Sequence, residues 1–528
     1  MLDLLLTGGL LVDGTGAPAR RADVGVKNGR VALDVAGAAA RATEDAGGLV
    51  VAPGFVDVHT HSDAATLFGT EFAEVAAAPV RMGVTTELCG NCGSSLFPAL
   101  PERIAELARS SRISFGTARG TSDDVTIFKD FAGFAEAHRR VPRANHLASL
   151  VGHGTLRAGV VGYADRAASP YELGVMCGLL DDALAAGAAG LSTGLIYTPG
   201  TYGGTDEVVA LARVAARHGK PYVTHLRDEM SRVEQALEEA VEIARASGAA
   251  LHVSHHKTAG RHSWGRTERT LARIAALRAD GMDVTCDVYP YTAGSTSLSA
   301  MLPPWANDGG TPALLERLRS RAERARMRQA IADGVPGWEN TVGNGGWDRI
   351  SVAAAPRHPE LEGRTIADLG GDPLDAAADL LLAEGGQVTI ISHSMREDDV
   401  RRVLTAPFAM IGSDGVPKPG RPHPRIAGTF PRVLGHYARD EGLLTLEEAV
   451  RRMTGMAADR FGLSGRGVVR EGAHADLVVF DPERIADAAT YAEPLLPPHG
   501  LRAVVVAGEI VVRDGTPTGA APGGIIAL

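Results

Sequence analysis

The chain has 528 residues, of which 45% are hydrophobic and 22% charged, with a formal net charge of -10. This balance excludes a disordered or fibrous chain and leaves room for one large barrel with additions, or about two to four domains. The acidic charge argues against nucleic acid as a partner, four cysteines in so long a chain do not make a disulfide framework, and no run approaches the roughly 18 apolar residues of a membrane span. A cytoplasmic protein acting on a small molecule is the expectation, with the oligomeric state left open.

Residues 1–16 read as a first strand and not as a signal peptide: no basic residue precedes the apolar stretch, Asp3 interrupts it, and Gly8 and Gly9 follow at once. Asn28-Gly29 is a strong hairpin signal. The last seventy residues have the same short-strand texture, so residues 1–51 and 459–528 are expected to form one small β-sandwich from both chain ends.

Between them, over 52–458, nine apolar strand-like runs alternate with helical stretches: GFVDVHTH, GVTTELCGNC, HLASLVGHG, AAGLSTGL, YVTHLRDE, LHVSHHK, MDVTCDVYPY, QVTIISH and FAMIGSDG. One helix opens with Ser169 as N-cap, Pro170 behind it and Glu172 two residues on; another closes at Gly248. Such alternation predicts an α/β protein with a parallel sheet, a (β/α)8 TIM-like barrel, and assigns the surplus run to an insertion. Residues 292–350 break the rhythm and hold three of the four Trp with many Pro and Gly; they read as an insertion at the barrel mouth and a candidate lid.

The His, Cys and Asp residues gather at the C-terminal ends of these runs, which in a barrel is the catalytic face. His59 and His61 end the first run, and residues two apart on a strand project to the same side, so both imidazoles can enter one cavity. Cys92 in CGNCGSS suits a thiolate ligand; a zinc ribbon built with Cys89 would need a second Cys/His pair nearby, and none follows. His225 and His255 end two runs about one strand–helix repeat apart, whereas His252 and His256 read as structural. Cys92, His225 and His255 make three zinc ligands with a fourth position open, as in catalytic sites. Asp414 in MIGSDG can take a proton from a hydrolytic water; a helix N-cap is its bland alternative. Only five of the 53 basic residues are Lys, and neither Lys129 nor Lys220 is placed to serve as a carboxylated bridge between two metals.

These segments, with LVGHGTLR, DVYPYTAGST and RPHPRIAGTFPRVLG, run from residue 53 to 481 and resemble the amidohydrolase superfamily, most specifically its N-acyl-D-amino-acid deacylase (D-aminoacylase) branch. The resemblance implies one tight zinc held by Cys92, His225 and His255, and a second, weaker metal position or a direct catalytic role for His59, His61 and Asp414. It also matches Lys257, Tyr289 and Arg425 to positions that bind the substrate carboxylate. The expected reaction is hydrolysis of an N-acyl-D-amino acid to a carboxylic acid and a free D-amino acid. The alternatives are another amide or cyclic-amide hydrolase of the superfamily and a non-catalytic scaffold. The segment 118–131 has no clear counterpart in the branch, and its role is left open together with the preferred side chain and acyl group.

Overall fold

In the computed structural model, which describes residues 1–115 and 126–528, the middle of the chain forms a ring of eight parallel strands. In chain order they are β1 (Phe55–Asp57), β2 (Val84–Cys89), β3 (His146–Ser149, continuing after Leu150 as Val151–Gly152), β4 (Leu191–Gly194), β5 (Tyr222–His225), β6 (Leu251–Val253), β7 (Val284–Val288) and β8 (Ala409–Ile411). Parallel pairing runs β1–β2–β3 and β3–β4–β5–β6–β7–β8. A parallel bridge between Thr60 and Gly415 closes the ring, with the Asp414 amide donating to His59 O (2.7 Å) and the His61 amide to Gly415 O (2.9 Å). The residues that seal the barrel are therefore the candidate site residues or their neighbours. Every residue of β1 to β8 is buried, which accounts for the near-continuous apolar runs of the sequence.

The helix at Pro170–Ala185 carries the expected reciprocal cap, Ser169 accepting from the Glu172 amide and Glu172 accepting from the Ser169 amide. The helix Val233–Ser247 ends on Gly248 in the left-handed conformation. At the hairpin, Lys27 pairs with Arg30 across Asn28 and Gly29, both with positive φ, as a type I′ turn requires.

Strands from both chain ends share one nine-stranded sheet, joined where Val50–Pro53 pairs antiparallel with Leu477–Phe480. Leu4, Leu6, Val24, Val26, Val51, Leu477 and Val505 fill its core. Val50–Pro53 runs almost directly into β1, so this sheet anchors the strand that carries His59 and His61.

Two expected boundaries need correction. The end of the chain leaves the sheet: Ile526 N donates to Leu147 O and Leu528 N to Gly187 O, and Ile526, Leu528, Ala457 and Phe461 pack under the barrel with Val56, Leu88 and Leu150. The apolar GGIIAL terminus thus covers the barrel floor. The surplus run, Thr389–Ser392, pairs antiparallel with both Gly294–Ser297 and Ile350–Ala354. The insertion therefore extends well past residue 350, and its apolar core includes Leu298, Leu318, Val352, Leu381 and Ile390. Among the described residues no helix is long and apolar enough to cross a membrane. Of the segment with the open role, residues 118–125 lie outside the described part of the chain.

Candidate metal centre

His225 is the last residue of β5; His59 and His255 lie two residues beyond β1 and β6, and Cys92 and Asp414 three beyond β2 and β8. Cys92 (φ 51°), His255 (φ 34°) and Asp414 (φ 51°) are left-handed, a conformation that disfavours side chains. Each such residue stores on the order of 1–3 kcal/mol, and a surrounding fold must hold it there. The chain turns sharply at each strand end, and the side chain swings over the barrel mouth. Glycine makes one of these turns passable: a Cβ on Gly93 would sit 2.8 Å from the Gly194 backbone nitrogen.

The side chains converge. Cys92 Sγ lies 3.3 Å from His59 Nε2, 3.3 Å from His255 Nε2 and 3.7 Å from His225 Nδ1. Asp414 Oδ1 lies 3.2 Å from His61 Nε2 and 3.6 Å from His59 Nε2. Three overlapping triads, His59–His61–Cys92, Cys92–His225–His255 and His59–His255–Asp414, each keep their ligand atoms within 4.8 Å. One thiol, four imidazoles and a carboxylate form a nitrogen- and sulfur-rich donor set that suits zinc. Burial alone would raise the Cys92 thiol, but His59 and His255 outweigh it and hold it well below its ordinary value, as the thiolate a metal needs. Burial also opposes ionisation of Asp414, yet Arg425, His255 and His59 hold its carboxyl well below the usual carboxylate range.

Behind the donors stand two carboxylates that are not among the site residues expected from the sequence. Asp287, inside β7, reaches His59 Nδ1 (3.4 Å) and His252 Nε2 (3.0 Å). Burial pushes it up, but the two imidazoles win and keep it ionised. Glu229 follows β5 and folds back: its carboxylate lies 3.1 Å from His255 Nδ1 and 3.4 Å from His225 Nε2, and accepts from Lys257 Nζ at 2.8 Å on both oxygens. Buried charges require partners, so Asp287 in an apolar strand carried a readable signal. Glu229 carried none, because its position depends on the path of a loop. His256 bonds Thr270 and Cys89 is packed in the core, both away from the cluster.

A cavity of about 240 Å³ opens over the cluster, lined by His61, Cys92, His225, His255, Glu229 and Asp414 among others. Lys257 and Tyr289 are on its wall. Arg425 is not: it is fully buried behind Asp414, its Nη2 in an ion pair with Oδ2 at 2.9 Å and its guanidinium 4.5 Å over the Tyr289 ring. Of the three residues expected to bind a substrate carboxylate, two line the cavity and Arg425 does not. Lys220 precedes β5 at the end opposite His225, and Lys129 precedes the helix Phe131–Arg139; neither lines the cavity.

Residues 42–512 match the family described as Amidohydrolase family. The D-aminoacylase of Alcaligenes xylosoxydans xylosoxydans is 39% identical over 530 residues, covering 99% of this chain and 97% of its own. The solved N-acyl-D-glutamate deacylase of Bordetella bronchiseptica, complexed with zinc and a phosphonate mimic of the tetrahedral intermediate, superposes with a TM-score of 0.83 at 37% identity, covering 100% of both chains. A D-aminoacylase structure concerned with its binuclear metal center, with one-metal activation and second-metal attenuation, superposes equally at 0.83 and 38% identity, again over 100% of both chains.

Proposed function

This chain belongs to the amidohydrolase family, and from that premise we propose that it catalyses zinc-dependent hydrolysis of N-acyl-D-amino acids to a carboxylic acid and a free D-amino acid. The observation that carries the reading is the buried convergence of Cys92, His225 and His255 with His59, His61 and Asp414 at one barrel mouth. Cys92, His225 and His255 would hold the tight zinc; His59, His61 and Asp414 would complete a weaker second position. When bound, zinc supplies Lewis acidity that makes a hydrolytic water acidic near neutral pH.

The residues of the chain account for the rest. Asp414 is ionised, and Arg425 occupies Oδ2, so Oδ1 is the oxygen that faces His61 and receives the proton of the attacking water. The same carboxyl then returns that proton to the leaving nitrogen. His61, on the cavity wall, and His59 behind it sit where negative charge develops on the amide oxygen. Lys257 and Tyr289 face the cavity with an ammonium and a hydroxyl, donors suited to the substrate carboxylate. With the carboxylate and the amide both fixed, the two enantiomers place the side chain and the Cα hydrogen in exchanged positions against the cavity wall, which distinguishes D from L. The four cysteines are all unbridged, which fits a reducing, cytoplasmic setting.

The test is release of free amine from matched N-acetyl-D- and N-acetyl-L-amino acids, with chelator and with zinc restored. Hydrolysis of D forms, little action on L forms, and loss and recovery with zinc are expected. Equal action on both enantiomers, or none on any D form, would overturn the proposal.

A further inference from the structure

Glu229 is held by every polar group it has. Its carboxylate meets His225, His255 and Lys257, and its carbonyl accepts from the Ala259 amide at 2.8 Å, in the segment after β6. Its own amide donates to Glu339 Oε2 at 2.6 Å. Glu339 belongs to the insertion and lines the cavity beside Trp338 and Thr341. Asp228 tightens the turn by accepting from the Met230 (2.8 Å) and Arg232 (3.0 Å) amides. A second contact lies next door, where Asn344 of the insertion donates to the Met230 sulfur at 3.6 Å.

The side-chain end of Glu229 fixes two imidazoles. A carboxylate can only accept, so its ion-pair contacts with His225 Nε2 (3.4 Å) and His255 Nδ1 (3.1 Å) favour the tautomers protonated on those nitrogens, leaving the opposite nitrogens, those nearest Cys92, with free lone pairs. Lys257 Nζ also lies 2.7 Å from His255 Nδ1. A neutral ring whose Nε2 is to bind a metal must carry its proton on Nδ1, so in that tautomer Glu229 is the partner and Lys257 turns to Glu229 and the cavity. Partners of this kind raise the basicity of metal-bound histidines and fix their orientation.

We propose that Glu339 is a positioning residue that couples the insertion to the metal ligands: by holding the Glu229 amide it keeps the Glu229 carboxylate against His225 and His255. The inserted unit then does more than roof the cavity; its docking sets the readiness of two ligands. This rests on the zinc reading above, and the insertion has its own apolar core, so it meets Glu229 as a packed body and not as a single loop.

The experiment measures zinc affinity of the full-length protein by competition with a chromophoric chelator, together with turnover, for Glu339→Gln and Glu339→Met. Gln keeps an oxygen that can accept from the Glu229 amide, so it should stay near wild type. Met keeps the length without the acceptor and should lose about 10-fold in zinc affinity, the low end for removal of a ligand's supporting partner. In a Glu229→Gln background, Glu339→Met should add little, because both act along one path. Wild-type affinity in Glu339→Met, equal losses in the Gln and Met variants, or full additivity with Glu229→Gln would overturn the coupling while leaving the zinc reading intact. A wild-type protein that takes up no zinc would remove the zinc reading itself and the coupling with it.

Discussion

The metal cluster has two halves built on one plan with different charges. On one side Cys92, His225 and His255 are backed by Glu229, whose charge is met by Lys257 at 2.8 Å. On the other, His59, His61 and Asp414 are backed by Asp287 behind His59 and by Arg425 behind Asp414. The first half has the thiolate, the softest donor, and its anionic support is already neutralised by a lysine. The second half ends in a carboxylate that stays partly accessible, with Asp414 at 10% and His61 at 15% side-chain exposure. A thiolate with two oriented imidazoles is suited to gripping a metal, and an ionised carboxylate at a cavity wall is suited to moving a proton. The difference supports the proposed assignment of holding to one half and chemistry to the other.

The largest effect should come from breaking the gripping half. Cys92→Ala removes the thiolate shared by two of the triads, and the purified variant should contain little zinc by elemental analysis and show activity near background. Cys89→Ala, three residues away and packed in the core, should keep both. Full zinc occupancy in the Cys92 variant would erase the proposed division of labour.

Breaking the other half should leave the metal in place. Asp414→Asn keeps the shape but exchanges one acceptor oxygen for an amide and cannot take a proton, so turnover should fall about 10²–10⁴-fold, the usual range for losing a general acid–base group, with the tight zinc retained. Near-normal turnover would reduce Asp414 to a residue that seals the barrel through its amide bond to His59 O.

The two halves were unequally legible. Cys92, His59, His61, His225, His255 and Asp414 are visible in the sequence because strand ends are a local pattern: an apolar run, then a polar residue at its last position or within the next four. Their convergence follows once eight such runs close into a ring. The supports depend on contacts that no local pattern encodes. Glu229 lies four residues beyond His225, and only the turn made by Asp228 brings it back. Glu339 comes from about a hundred residues further along the chain. The same reason explains the misplaced end of the insertion: Thr389–Ser392 reads as a buried strand like the others, and only its antiparallel partners reveal that it belongs elsewhere. The apolar terminus likewise gives no sign of whether it adds to the sheet or covers the barrel floor.

Arg425 offers the smallest effect and the sharpest test, because sequence and structure place it differently. From the sequence it is eleven residues past Asp414 and within reach of a substrate carboxylate at the mouth. In the structure its guanidinium is fully buried, paired with Asp414 at 2.9 Å and stacked on Tyr289. A charge in that position acts on Asp414 first. Burial raises the Asp414 carboxyl, and Arg425 is the largest of the influences that lower it. Arg425→Met keeps much of the side-chain bulk and removes the charge, so the Asp414 pKa should rise. Activity that requires the ionised carboxylate is lost as pH falls through that pKa, so the acid limb of the kcat profile should move to higher pH. The shift should be the same for an N-acyl-D-amino acid and for its amide, since it arises within the protein. Lys257→Met should behave in the opposite way: Lys257 is on the cavity wall, and its loss should raise KM for the acid more than for the amide. If Arg425→Met leaves the pH profile in place and penalises only the acid, the guanidinium reaches the substrate after all, and the half that moves the proton also holds the carboxylate.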